Sequence, residues 1–230
     1  MGIGRSAGKQ VGRQLLPRVQ QLAPGLTDSF VREALAGAIA GIGPLPGAAA
    51  AAETKLAAAG GDRDQAVKAL VDRHVQYAGA QGFATNIGGL VTAAVTIPAN
   101  ITGLAVIQSR MISAIAHLRG YDLDDPRVRN AVLTCLIGED SVRKLVRKRR
   151  IPAPPMALAT APHHDPDLDL TLSAEVAAEL ITRVAGKRIV TTVGRRIPVL
   201  GGVVGGGADA WATWQIGRYA SRELLPRARR

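Results

Sequence analysis

The chain has 230 residues, 47% of them hydrophobic but only 3% aromatic, and a formal net charge of +11. That length supports one substantial core or two small ones. The scarcity of β-branched and aromatic alternation excludes a sheet protein, so the fold class expected is all-α. Ala and Gly carry much of the apolar count, so the helices must gain stability from close backbone approach. The positive charge calls for an anionic partner, either lipid or nucleic acid. A single cysteine, Cys135, excludes an internal disulfide, and no zinc-ligand spacing occurs.

Residues 3–22 alternate basic and apolar positions at helical spacing. Val11, Leu15, Val19 and Leu22 form one stripe, with Arg5, Lys9, Arg13 and Arg18 off it. Residues 1–25 are therefore expected to form a basic amphipathic helix. It would lie on an anionic membrane or pack its stripe on the domain. Pro17 weakens the pattern. Two motif matches here carry no weight. Gly2 with Ser6 fits an acylation pattern, but the Ala- and Arg-rich composition looks bacterial. GRSAG fits a nucleophile elbow around Ser6, yet a strand must precede that elbow and none fits. No secretory leader is evident, which suggests a cytoplasmic location.

A single helical domain is expected over residues 26–230. Thr27 or Asp28 caps a helix running toward Gly41. GPLPG at 43–47 breaks it sharply, and an Ala-rich helix follows. Asp62 caps the next helix, from Asp64 to about Ala80, with Val67, Leu70, Val71 and Val75 on its apolar face. His74 lacks a second ligand at helical spacing and is read as a surface or core histidine.

No charged residue occurs between Arg73 and Arg110. A membrane span needs roughly 20 apolar residues. This stretch is a poor one, because Pro98 and Asn100 sit at its centre. Pro98 is expected to divide it into two helices. In the second, Ile101, Leu104, Met111, Ile115 and Leu118, with Gln108 among them, form a seam that buries one side. Ser109, Arg110, Ser113 and Ala114 fall elsewhere. Gly120 ends the helix as a left-handed cap.

Asp125 and Pro126 open another helix as cap and first residue. It leads into a crowd of cations: Arg143, Lys144, Arg147, Lys148, Arg149 and Arg150. A helix C-terminus favours positive charge, but not six cations. This cluster is the expected binding site for an anionic membrane surface. Residues 151–170 are Pro-rich and read as a long loop. Its His163, His164, Asp165, Asp167 and Asp169 lack the firm scaffold a metal site requires, so no metal is expected.

Ser173 is expected to open the next helix. Pro198 then begins a glycine-rich segment with neither a phosphate-loop spacing nor a preceding strand. Gly202 and Gly206 are read as close-packing positions, and Pro98 and Pro198 as related helix bends. Trp211, Trp214 and Tyr219 are expected interfacial anchors on a tail helix.

The runs GGLVTAAVTIPANITGLAVIQSRMISAIAHLRGYDLDDPRVRNAVLTCLIG (88–138) and RRIPVLGGVVGGGADAWATWQIGRYA (195–220) resemble the EcsC family of bacterial proteins. The first run carries IP, IQ-x-x-M, AH-x-x-GYD and DP-x-VR in one order. The resemblance implies a helical, membrane-associated protein, in a family named from a gene beside an ABC transporter. It supplies no catalytic motif and no cofactor. The leading expectation is a non-enzymatic protein peripheral to the inner face of the plasma membrane. It would act with lipid or with a membrane complex such as an ABC transporter. The alternative is an enzyme or carrier for a lipid or other apolar ligand, with a polar pocket at Gln108, Arg110 and His117. Specific nucleic-acid binding is disfavoured, since the aromatics needed to stack bases are scarce.

Overall fold

The computed structural model describes residues 28–42, 45–87, 93–193 and 198–227, with side chains over 29–42, 45–83, 103–180, 182–183 and 206–227. The helix expected over 1–25 lies outside the described residues. Helix α1 (Asp28–Ala40) leads into two short antiparallel strands, β1 (Gly41–Ile42) and β2 (Leu45–Pro46), with Gly41 opposite Pro46. The proline-rich break thus becomes a small hairpin. Gly41 has φ +104, and a Cβ there would stand 2.8 Å from the Leu45 carbonyl oxygen. Helix α2 (Ala48–Ala58) buries Ala48 and Ala52 completely.

Helix α3 (Arg63–Ile87) starts where expected and runs past Ala80. Asp62 Oδ1 accepts from the Asp64 and Gln65 amides at 2.9 and 3.0 Å. Two of the orphan amides at the helix start are thereby satisfied. Helix α4 (Ala93–Leu118) runs continuously through Pro98. The break expected there does not occur. Pro98 is the sixth residue of the helix, so it removes one ladder bond just beyond the turn whose amides lack partners anyway.

Helix α4 is the centre of the fold and packs against α1, α2, α3 and three later helices. Gln108 through Ala116 are all buried, including Ser109, Arg110, Ser113 and Ala114. The expectation of one buried side was too narrow, because neighbours enclose the helix on every side. It ends in a Schellman turn. Gly120, at φ +85, donates to the His117 carbonyl, and Tyr121 donates to that of Ala116.

Asp125 caps α5 (Pro126–Ile137) by accepting from the Arg127 amide at 2.8 Å. All eight residues from Asn130 to Ile137 are buried. Gly138, at φ +89, turns the chain into α6 (Glu139–Arg147). The stretch 151–170 is not the long loop expected. It holds α7 (Pro155–Ala159), buries Ile151 and Leu158, and already starts α8 (Pro166–Val193). Asp165–Pro166 repeats the cap-and-proline pair of Asp125–Pro126, and Asp165 accepts from the Asp167 amide at 3.0 Å. Ser173 therefore lies inside a helix, where its hydroxyl donates to the Asp169 carbonyl at 2.7 Å.

Helix α9 (Pro198–Glu223) packs chiefly on α3 and also touches α4 and α5. It is antiparallel to α3, since Gly217 lies by Val71 and Gly206 by Gly79 and Phe83. The contact is backbone on backbone. A Cβ on Gly206 would come within 2.8 Å of the Gly79 carbonyl oxygen. Large side chains fill the core, among them Leu70, Met111, Ile112, Ile115 and Leu136. Each such burial contributes roughly 1.5–3 kcal/mol. Among the described residues, no helix is long and apolar enough to cross a membrane.

Two adjacent glycines of α9 should respond with opposite sign. Gly206→Ala forces its methyl into the α3 backbone and should destabilise by about 1–3 kcal/mol. At Gly207 a Cβ meets nothing within 4 Å. Gly207→Ala should therefore stabilise by up to about 1 kcal/mol through helix propensity. Urea unfolding of the two variants measures both. Equal effects would mean the Gly79–Gly206 approach is not a packing constraint.

Candidate functional site

The six cations expected as an anion-binding cluster lie on α6 and the turn after it, and all are exposed. Two are neutralised: Arg143 pairs with Glu139, and Arg150 with Glu175. Lys144, Arg147, Lys148 and Arg149 have no carboxylate partner among the described residues. Arg149 sits at φ +56, the left-handed position that closes α6. The Arg149 amide donates to the Val146 carbonyl and the Arg150 amide to that of Leu145, both at 2.9 Å. Glycine is the usual residue at such a position, and a side chain there costs roughly 1 kcal/mol or more.

Helix α6 borders a groove of about 560 Å3 shared with α8 and α9. Lys144 stands on one wall, and Trp214, Arg218 and Arg222 on the other. Arg222 pairs with Glu139 across it. On the floor, Arg183 donates through Nη2 to the carbonyls of Leu136 and Ile137 at 3.2 and 2.8 Å. It thus caps the buried end of α5, and Glu179 holds its Nε at 3.2 Å. No sequence pattern could have announced this cap, because 46 and 47 residues separate the partners.

The expected anchors on α9 divide. Trp211 is 58% exposed and stacks on Trp214 at 4.8 Å. The Arg218 guanidinium lies 4.8 Å above the Trp214 ring. Trp211, Trp214, Arg218 and Arg222 follow three- and four-residue steps, so they form one stripe of α9. Tyr219 is only 4% exposed, and burial raises its phenol pKa. It is a core residue and not an interfacial anchor, because its position on α9 turns it inward. Gly206 is the packing position expected. Pro198 opens α9, while Gly202 lies within it and its packing falls outside the described side chains.

The three residues expected to share a polar pocket do not meet in one. Nine residues separate Gln108 from His117, which is two and a half helical turns. Gln108 is fully buried and donates to Thr213 Oγ1 on α9 at 3.1 Å. His117 Nε2 lies 2.7 Å from Glu53 Oε1 on α2. Arg110 lies within electrostatic reach of His74 on α3. His74 itself is 3% exposed, and its Nδ1 lies 2.8 Å from the Leu70 carbonyl oxygen. Cys135 is fully buried, which pushes its thiol pKa well up and removes it as a nucleophile at neutral pH. His164 contacts Asp169 at 2.9 Å, and Asp169 also accepts from Asn130 at 2.7 Å. Among the described residues, no three metal-ligating groups converge.

Fold and surface together define a helical protein with a basic face edged by tryptophan. The model of the EcsC protein family matches residues 18–228, and the chain belongs to that family. No curated protein and no solved structure matches it.

His74 gives this core a pH dependence. Burial is the main cause that lowers its pKa from 6.5 to about 4, with the Arg110 charge adding to it. The unfolded chain accepts a proton that the folded one refuses. The stability is therefore full above the unfolded value and is lost as pH falls through the interval toward 4, by about 3 kcal/mol. Urea unfolding across that interval should show a steeper decline for the wild type than for His74→Gln. Parallel declines would assign the titration to other groups.

Proposed function

We propose that the protein is a non-enzymatic peripheral membrane protein that docks an anionic bilayer through the face formed by α6 and the outer stripe of α9. The observation that carries this reading is the set of four cations without a carboxylate partner on α6 and its closing turn, with Lys144 across the groove from Trp214, on which the exposed Trp211 stacks. Each cation near an anionic bilayer contributes about 1 kcal/mol. Tryptophan favours the headgroup level, where its ring is half wet. The left-handed Arg149 supports the same reading: a cation stands where glycine would relieve strain. The docked surface would be the inner face of the plasma membrane. There the same face would also be placed beside a membrane-embedded partner such as an ABC transporter.

Flotation with vesicles tests the reading. Changing Lys144, Arg147, Lys148 and Arg149 together to Gln should weaken binding to phosphatidylserine vesicles by on the order of 100-fold or more. High salt should weaken the wild type likewise. Arg149→Gly is the sharper probe. It should raise stability by roughly 1 kcal/mol through relief of the left-handed strain, yet reduce vesicle binding. Equal flotation of wild type and quadruple variant would sink the proposal.

A further inference from the structure

Arg110 lies in the middle of the most buried helix and is only 7% exposed. Among the described residues it makes no hydrogen bond and no ion pair; its Nε is buried without a partner, while its two terminal nitrogens are not fully buried. A buried guanidinium is ordinarily paired, because taking an unpaired charge out of water carries a penalty of several kcal/mol. Its neighbour His74 is in a similar state. Nδ1 is engaged with Leu70, while Nε2 is buried and unpartnered. One turn beyond Arg110, Ser113 is fully buried with its hydroxyl also unpartnered.

The charges acting on His74 share one sign. Lys55 reaches His74 from α2, Arg73 from its own helix and Arg110 from α4. No carboxylate is among them. Asp209, the buried carboxylate of α9, has contacts of its own and does not act on His74. Lys55 and Arg73 also line a surface depression of about 420 Å3, together with Ala69, Asp72 and Gln76. An unpaired guanidinium fork and an imidazole nitrogen without a partner are groups that a bound oxyanion can engage.

We propose that Arg110 anchors a binding site, where α4 packs on α3, that takes an oxyanion, a carboxylate or a phosphate. This site is independent of the docking face on α6 and α9. A purely structural arginine would be expected to hold a carbonyl or carboxylate of the fold, and Arg110 holds neither. The oxyanion would come either free, as phosphate, or on a lipid chain, as a fatty carboxylate.

The test uses the full chain and nuclear magnetic resonance of the histidine rings, titrated separately with inorganic phosphate and with decanoate. Binding should shift the His74 resonances and move its titration midpoint upward from about 4, because the anion offsets the surrounding cations. A response to phosphate assigns a free oxyanion, and a response to decanoate alone assigns a lipid-borne one. Arg110→Gln should weaken binding by about tenfold or more, whereas Arg63→Gln, at the exposed start of α3, should leave it unchanged. Without anion, Arg110→Gln should keep or raise Tm, since it removes an uncompensated buried charge. A fall in Tm on that substitution would mark Arg110 as structural and overturn the proposal. So would the absence of any His74 response to both anions.

Discussion

The approach of α9 to α3 at Gly206 and Gly79 governs the rest of the fold. A chain with so few aromatic side chains cannot fill a wide gap between helices. It must close the gap instead. Backbone contact at these glycines lets α3, α4 and α9 sit close enough for Met111 and Val71 to meet Gly217. That closeness gives each small side chain a full set of van der Waals neighbours, which is how many weak contacts become a core. It also excludes water from the stretch Gln108–Ala116 of α4, and so brings Arg110, Gln108 and Ser113 into an environment where polar groups carry a penalty unless satisfied.

The surface follows a different logic. Carboxylates are distributed so that some cations are cancelled and others are left. Glu139 and Glu175 pair with the two ends of the α6 cluster, while the cations between them have no carboxylate partner among the described residues. The same Glu139 binds Arg222 of α9, so the ion pair that lowers local charge also joins the two parts of the face. At the far end of α4 a similar economy holds. Arg119 pairs with Asp64 of α3, and its carbonyl takes the Arg227 amide at 2.7 Å. The C-terminal segment thereby lies against the end of the central helix, with the Arg227 guanidinium over the Tyr121 ring.

Much of this was legible from local rules. Asp62 and Asp125 as caps, Gly120 as a left-handed stop and the hydrophobic face of α3 all depend on neighbours within one helical turn. Family membership was legible from ordered short motifs. The errors lie where local rules compete with tertiary contacts. Pro98 was expected to break α4, but one missing bond is small beside the packing of a whole helix. Pro-rich 151–170 was read as loop, yet Asp165–Pro166 is a helix start. Tyr219 was taken for an interfacial residue, since composition does not reveal which way a helix turns. The polar pocket failed for a similar reason. Gln108 and His117 share a helix but face α9 and α2, and only the assembled fold shows that Arg110 lacks a partner among the described residues.

The junction at Gly138 has a consequence for recognition. Its positive φ is open to glycine at little strain, and Arg183 locks the carbonyls just before it to α8. The direction of α6 is thus inherited from the buried helix α5 and not from a loose connection. A face oriented in this way would meet the bilayer proposed for it already ordered. Association would then sacrifice little conformational entropy, and the available attraction would go into residence on the surface instead of into arranging it.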